Sequence, residues 1–201
     1  HFILYRDGKP LIIDGGVENY TRWTFSDRRY EIWTMQSAYH SLPTINGIHQ
    51  APGREFKARQ VNYEAEDDVV RFSLNIAGAY PPQAGLKDWQ RSLTFRRGKQ
   101  VTLFDRYTCV ETPKSLTLSL LTACEPVVED GKILLKERVL GDDRASGRGV
   151  IEFDGQMFDV AVEAVPTTEI KPTKIWGDHI YRLLFTVKYP QKTGEWKIVF
   201  R

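Results

Sequence analysis

FILYRDGKPLIIDGG, residues 2–16, decides the fold class. Phe2-Ile3-Leu4-Tyr5 reads as a strand, and Asp7-Gly8 is a two-residue turn of the kind that tolerates positive φ. Leu11-Ile12-Ile13 then reads as the returning strand. Gly15 and Gly16 follow directly, so the chain must bend tightly there and leave the Asp14 carboxylate at a strand tip.

The same period of two continues outward from this hairpin. Strands are expected over Tyr30–Gln36, Phe56–Tyr63 and Val69–Ile76. Another pair, Trp89–Arg97 and Val101–Glu111, flanks Arg97-Gly98-Lys99. Leu116 to Leu120 has one apolar face. Asp130-Gly131 and Asp154-Gly155 are further hairpin signals, flanked by residues 125–135 and 150–165, and the chain closes on strands over Ile180–Tyr189 and Trp196–Phe200. Pro81-Pro82 excludes a central strand between Val69–Ile76 and Trp89–Arg97. No amphipathic helix and no linker is expected. Roughly fourteen short strands separated by turns predict an all-β, antiparallel two-sheet β-sandwich formed by residues 1–201 as a single domain.

Composition narrows the function classes. The 201 residues are 41% apolar and 27% charged, with a net charge of +2. That balance lacks the strongly basic surface of a dedicated nucleic-acid binder. The apolar runs are only a few residues long, too short for a spanning helix. Two cysteines make no disulfide framework. Cys109 and Cys124 are expected on neighbouring strands joined by a hairpin near Pro113, offset from each other and therefore free.

Chemistry concentrates in RYEIWTMQSAYHSLPTINGIHQ, residues 29–50, which holds His40 and His49, two of the four histidines. The stretch runs from an expected strand into irregular backbone, where side chains are readily aimed at a ligand. Asp14 and His40, both at strand ends, offer a carboxylate and an imidazole to a zinc-type ion. Each also has an ordinary role, Asp14 as a turn aspartate and His40 as a half-buried histidine. Tyr30, directly after Arg28 and Arg29, is the candidate acid or base. His49 reads as a solvated loop residue, and His179 beside Asp178 as a strand edge. Arg28, Arg29, Arg54 and Arg59 are forked donors suited to carboxylate or sulfate. Trp89, Arg91 and Asp105 read as a buried structural network, as do Trp176, Tyr181 and Arg182. Tyr20, Trp23 and Phe25 form an aromatic loop able to stack on sugars.

Taken together, Phe2 to Gly16, Arg29-Tyr30, Ser37-Ala38-Tyr39-His40-Ser41, Asn46-Gly47 and Gln50 resemble the β-sandwich domain of heparinase II/III-like polysaccharide lyases. Trp89-Gln90-Arg91 with Asp105, and Trp176 with Tyr181-Arg182, fit the same pattern. The resemblance implies that this chain is the C-terminal part of a longer protein whose N-terminal domain is an α/α-toroid. It implies cleavage of an acidic polysaccharide, a uronate glycan of the heparin or heparan sulfate kind, by β-elimination in the cleft between the domains. A zinc ion is implied on the sandwich side, with Asp14 and His40 as ligands and a first histidine expected upstream of His1. Tyr30 falls near a tyrosine used as acid or base. Tyr39-His40-Ser41-Leu42 departs from the usual small-His-Asn-Thr pattern. A periplasmic or secreted setting follows from the resemblance, and the piece alone is expected to be inactive. The alternative reading is a non-catalytic glycan-binding or domain-interface module.

Overall fold

A computed structural model of the chain describes residues 1–167 and 170–201. Fourteen strands form in chain order. β1 (Leu4–Arg6), β2 (Lys9–Ile12) and β3 (Pro43–Ile45) come first, then β4 (Arg59–Ala65), β5 (Val69–Asn75), β6 (Leu86–Arg96) and β7 (Gln100–Cys109). β8 (Leu116–Thr122), β9 (Glu125–Glu129), β10 (Lys132–Lys136) and β11 (Gly149–Glu152) follow. The last three are β12 (Phe158–Pro166), β13 (His179–Val187) and β14 (Thr193–Phe200).

They make two sheets with antiparallel pairing throughout. The six-stranded sheet runs β1-β2-β8-β13-β12, with β3 also on β8, and the eight-stranded sheet runs β4-β5-β6-β7-β14-β11-β10-β9. The chain is the antiparallel β-sandwich that its alternation predicts. Leu116, Leu118 and Leu120 of β8 and Leu183 and Phe185 of β13 meet Trp89, Leu103, Trp196 and Ile198 of the other sheet in one apolar core. Trp89 stacks on Tyr107 at 5.2 Å between ring centres, and Trp196 meets both rings. Burial of this kind contributes about 25 cal/mol per Å² of apolar surface.

Arg91 and Asp105 pair across β6 and β7 inside that core, with Nε and Nη2 donating to the two carboxylate oxygens at 2.8 and 2.7 Å. The third arm, Nη1, donates to the Ser41 carbonyl at 2.6 Å. This network is structural, as the sequence reading had it, and its third arm reaches the residue beside His40.

Several expectations are corrected. Residues 30–36 form no strand; the chain makes three short 3₁₀ turns, Asp27–Glu31, Trp33–Met35 and Ser37–Tyr39. Successive i→i+3 bonds, such as Met35 N to Ile32 O and Tyr39 N to Gln36 O, satisfy the backbone instead of a neighbouring strand. Trp33 and Tyr39 thereby pack on a second apolar cluster around Ile13, Leu121, Trp176 and Ile180. A short helix, α1 (Ile170–Trp176), completes this cluster; seven residues are too few for a helical period to show in the sequence. Asp130-Gly131 does join β9 to β10, but Asp154-Gly155 is no hairpin, because β11 and β12 lie in different sheets. Likewise Cys109 ends β7 and Cys124 follows β8 in the opposite sheet, so Pro113 sits in a crossing between sheets rather than a hairpin. Both cysteines are free and buried, and burial pushes both thiols up, which keeps them inert. Among the described residues, no helix is long and apolar enough to cross a membrane.

Candidate metal centre

Asp14 stands two residues beyond β2. Its Oδ1 accepts from the Gly16 N–H at 2.7 Å, which is the turn role expected of an aspartate before two glycines. Its Oδ2 is turned the other way and takes the ligand-like role. His1 Nε2 lies 2.9 Å from it and His40 Nδ1 lies 3.2 Å from it. The turn reading of Asp14 is met by Oδ1, while Oδ2 faces the two imidazoles.

A side-chain clasp makes this meeting possible. Ser41 Oγ accepts from the Phe2 N–H at 2.8 Å and donates to the Phe2 carbonyl at 3.2 Å. Residues 1 and 40 are carried to the same place, and their rings stack with centres 4.9 Å apart and planes at 20°. From below, Trp176 of α1 donates through Nε1 to the Gly15 carbonyl at 3.2 Å, fixing the strand tip beside Asp14. Gly15 itself has no room for a side chain, since a Cβ there would stand 2.8 Å from Trp33 Cη2. Gly15→Ala is expected to cost about 1–3 kcal/mol by overpacking, read as a lower urea midpoint at unchanged m; an unshifted midpoint would refute the contact.

Sequence reading placed His1 outside the site and looked upstream for a first histidine. The structure brings His1 itself to Asp14. The signal for it was weak: a lone histidine before a strand acquires meaning only when Phe2 is known to pair with Ser41.

The donor set fits a zinc-class ion. Ligand atoms of His1, Asp14 and His40 lie within 4.8 Å of one another, whereas donors about 2.0–2.1 Å from one tetrahedral centre sit about 3.3 Å apart. His40 Nδ1 is shielded from solvent and has no aligned hydrogen bond, despite its 3.2 Å approach to the carboxylate. A buried ring nitrogen left in this state, aimed at a carboxylate oxygen, suits a shared cation better than a simple pair. Two nitrogens and one oxygen leave a position open for water or substrate.

Electrostatics agree. The His1 imidazole, and then the His40 imidazole, beside Asp14 hold its carboxyl far below the usual carboxylate range, against the opposing effect of burial. The hydrogen bond to Asp14 raises the His1 imidazole above its ordinary value, outweighing desolvation. A lowered carboxylate stabilises the fold above its unfolded pKa and loses that contribution as pH falls. A raised imidazole contributes fully below its unfolded pKa and loses its contribution as pH rises through the folded value. A metal ion must accordingly compete against the hydrogen bond between His1 and the Asp14 carboxylate. Zinc affinity is expected to rise with pH through the elevated His1 range, because ligation needs the neutral ring. Titration calorimetry at several pH values checks this, and a flat profile would contradict it.

Tyr30, His1 and His40 line one cavity of about 630 Å³, together with Met35, His49 and Gln50. The structure thus brings the three sequence candidates, Asp14, His40 and Tyr30, to one place, Tyr30 on the wall and Asp14 behind the two imidazoles. Arg28 is turned away, bound to Glu31 through two hydrogen bonds. Trp23 lies under Arg28, with the guanidinium carbon 4.2 Å from its ring centre. His179 is engaged elsewhere, between Asp178 and Arg138 at the start of β13. Arg182 holds Glu163 and lies over the Tyr39 ring, next to His40 in the chain.

No family model and no curated protein matches the chain. Solved structures do. Heparan sulfate lyase HepC from Pedobacter heparinus superposes with a TM-score of 0.72 at 18% identity, over 98% of this chain and 29% of that one. A heparinase III structure gives a TM-score of 0.63 at 16% identity, over 98% of this chain and 28% of that one. The fold is shared with these lyases, and the chain spans less than a third of their length.

Proposed function

We propose that this chain is the β-sandwich part of a longer polysaccharide lyase-like protein that cleaves uronate glycans of the heparan sulfate class by β-elimination. The observation that carries the reading is the His1–Asp14–His40 group opening on the same cavity as Tyr30. The fold shared with heparan sulfate lyase HepC and with heparinase III supports this choice of substrate class. An N-terminal α/α-toroid would supply the other wall of the cleft, in a periplasmic or secreted protein.

His1, Asp14 and His40 would hold a zinc-class cation, whose chemistry there is fixed positive charge beside an acidic substrate. Asp14 sets the orientation of both imidazoles. Tyr30 stands on the cavity wall and would give its hydroxyl proton to the departing glycosidic oxygen.

The test uses the parent chain. It should contain zinc and generate unsaturated uronate ends, seen as new ultraviolet absorbance, on heparan sulfate or a related glycan. His40→Ala should remove both metal and activity. A parent inactive on every uronate glycan tried would refute the reading. A second reading, a non-catalytic glycan-binding module, is favoured by one observation: Tyr20, Trp23 and Phe25 are exposed, with Phe25 78% accessible. It predicts metal-independent glycan binding that Trp23→Ala abolishes and His40→Ala leaves intact.

A further inference from the structure

The outer face of the eight-stranded sheet carries a strained residue and an ordered polar cluster that the cavity does not use. Among the described residues, five that are not glycine have positive φ, and four of them are aspartate or asparagine, whose short side chains tolerate it. The fifth is Gln60, at φ 51°, where the register of β4 slips against β5 between Arg59 and Asn62. A bulge with a left-handed residue ordinarily takes glycine there. Strained positions of this kind cluster at ligand sites.

The Gln60 side chain belongs to a group of three amides and one carboxylate. Asn75 Oδ1 accepts from the Ala77 N–H at 2.9 Å, so its Nδ2 faces the other way. That nitrogen donates to Asp88 Oδ1 at 2.6 Å and to Gln60 Oε1 at 3.4 Å. Gln90 Nε2 donates to the same two oxygens, at 3.3 and 3.0 Å. Donors and acceptors thus orient every amide in the group. Gln60 Nε2 is left over as a donor, and Gln90 Oε1 and Asp88 Oδ2 are left over as acceptors. A sugar hydroxyl both donates and accepts, so a fixed amide donor beside two fixed acceptor oxygens suits neighbouring hydroxyls on one ring.

Cations flank this group. Cross-strand pairing sets Arg59, Asn75, Gln90 and Arg106 in one row across β4, β5, β6 and β7. Gln90 stands between the buried Trp89 and Arg91, and successive strand residues face opposite sides, so the row faces away from the core. Both Arg59 and Arg106 are exposed, and neither has an ion-pair partner among the described residues. Glu195 stands opposite Arg106 on β14 without pairing to it. Three strand spacings, about 14 Å, separate the two arginine positions. A hydroxyl-binding centre with a forked cation at each end matches a chain bearing anionic groups on both sides of a hydroxyl-rich ring.

We propose that this row is a second glycan-binding site, which holds the hydroxyls of one sugar ring on Gln60, Asp88 and Gln90 and the anionic groups of the neighbouring sugars on Arg59 and Arg106. Its ligand class is an acidic polysaccharide, which the site anchors without reacting with it. None of these residues lines the cavity beside His40. The site therefore stands apart from the elimination reading.

The experiment measures affinity of the parent protein for immobilised heparan sulfate, with His40→Ala as the background so that the glycan is not cut. Arg59→Ala combined with Arg106→Ala should weaken binding about 100-fold, tenfold for each charge-assisted contact. Gln60→Gly should weaken binding about tenfold and leave the urea midpoint unchanged or higher, because glycine suits the left-handed backbone there. A lowered midpoint in Gln60→Gly would overturn the proposal by assigning the cluster to the fold. Unchanged affinity in both variants would also overturn it and leave the elimination reading untouched. An arginine pair whose loss weakens binding to uncharged dextran equally would overturn the acidic class. A parent that cuts no uronate glycan yet shows the expected losses would refute the lyase reading and support this one.

Discussion

Asp105→Ala is expected to destabilise the chain by about 3–5 kcal/mol, the usual cost of removing one partner from a buried ion pair. Asp105 is 0% accessible and Arg91 is 3% accessible, so the orphaned guanidinium has no route to water. The loss is dominated by that stranded charge rather than by the Coulomb energy of the pair. Arg91→Met combined with Asp105→Leu removes both charges and should recover much of the stability. It still leaves the Ser41 carbonyl without its donor, a deficit of about 1–3 kcal/mol for a buried acceptor. The comparison separates the pair from its third arm. Urea unfolding of the two variants measures it, and a single-variant cost below about 1 kcal/mol would show that the core relaxes to solvate Arg91. Because Ser41 also clasps Phe2, loosening it should displace His1 and His40 together and lower metal affinity from a distance.

Asp14→Asn should abolish metal binding while sparing the fold. The amide keeps an oxygen for the Gly16 N–H, so the turn survives. What disappears is the anionic donor shared by His1 and His40. Removing an outer-shell partner of a metal site already costs about 10–100-fold in affinity, so losing the one carboxylate should cost at least about 100-fold. Competition against a chromophoric zinc chelator gives the affinity, and the urea midpoint gives the stability. Unchanged zinc affinity would exclude Asp14 as a ligand. A collapse of stability with it would assign the residue to the turn alone.

Sequence patterning reaches some features of this chain and stops at others for a definable reason. Asp7-Gly8, Asn46-Gly47, Gly98 and Gly131 stand at turns in the structure with the positive φ their residue types favour. Local steric preference decides such positions, and a local reading finds them. The period of two across β6, β7, β8 and β13 is equally local, since successive side chains of a strand must face opposite sides. Where similar signals misled, the missing information was the partner. Asp154-Gly155 looks like the other turns, yet the chain changes sheets there. Residues 30–36 alternate weakly, yet Trp33, with Tyr39 just beyond them, packs on the second apolar cluster instead of the segment joining a sheet.

The candidate site divides the same way. Asp14 before two glycines and His40 at a break were visible as chemistry-bearing residues at chain turns, and the family resemblance joined them. The amino-acid sequence by itself determined that the protein is a two-sheet antiparallel sandwich carrying a carboxylate and an imidazole where the chain turns. Only the tertiary structure decided that His1 joins Asp14 and His40, that Tyr30 and His49 share a cavity with the two imidazoles, and that Asp14 meets the Gly16 turn and the imidazoles with different oxygens. The physical reason is range. Alternation and turn chemistry act over a few residues, whereas the Ser41–Phe2 clasp spans 39 positions and the Arg91–Ser41 bond spans 50. Contacts of that separation exist only after the sheets have chosen their partners, and the site is built from them.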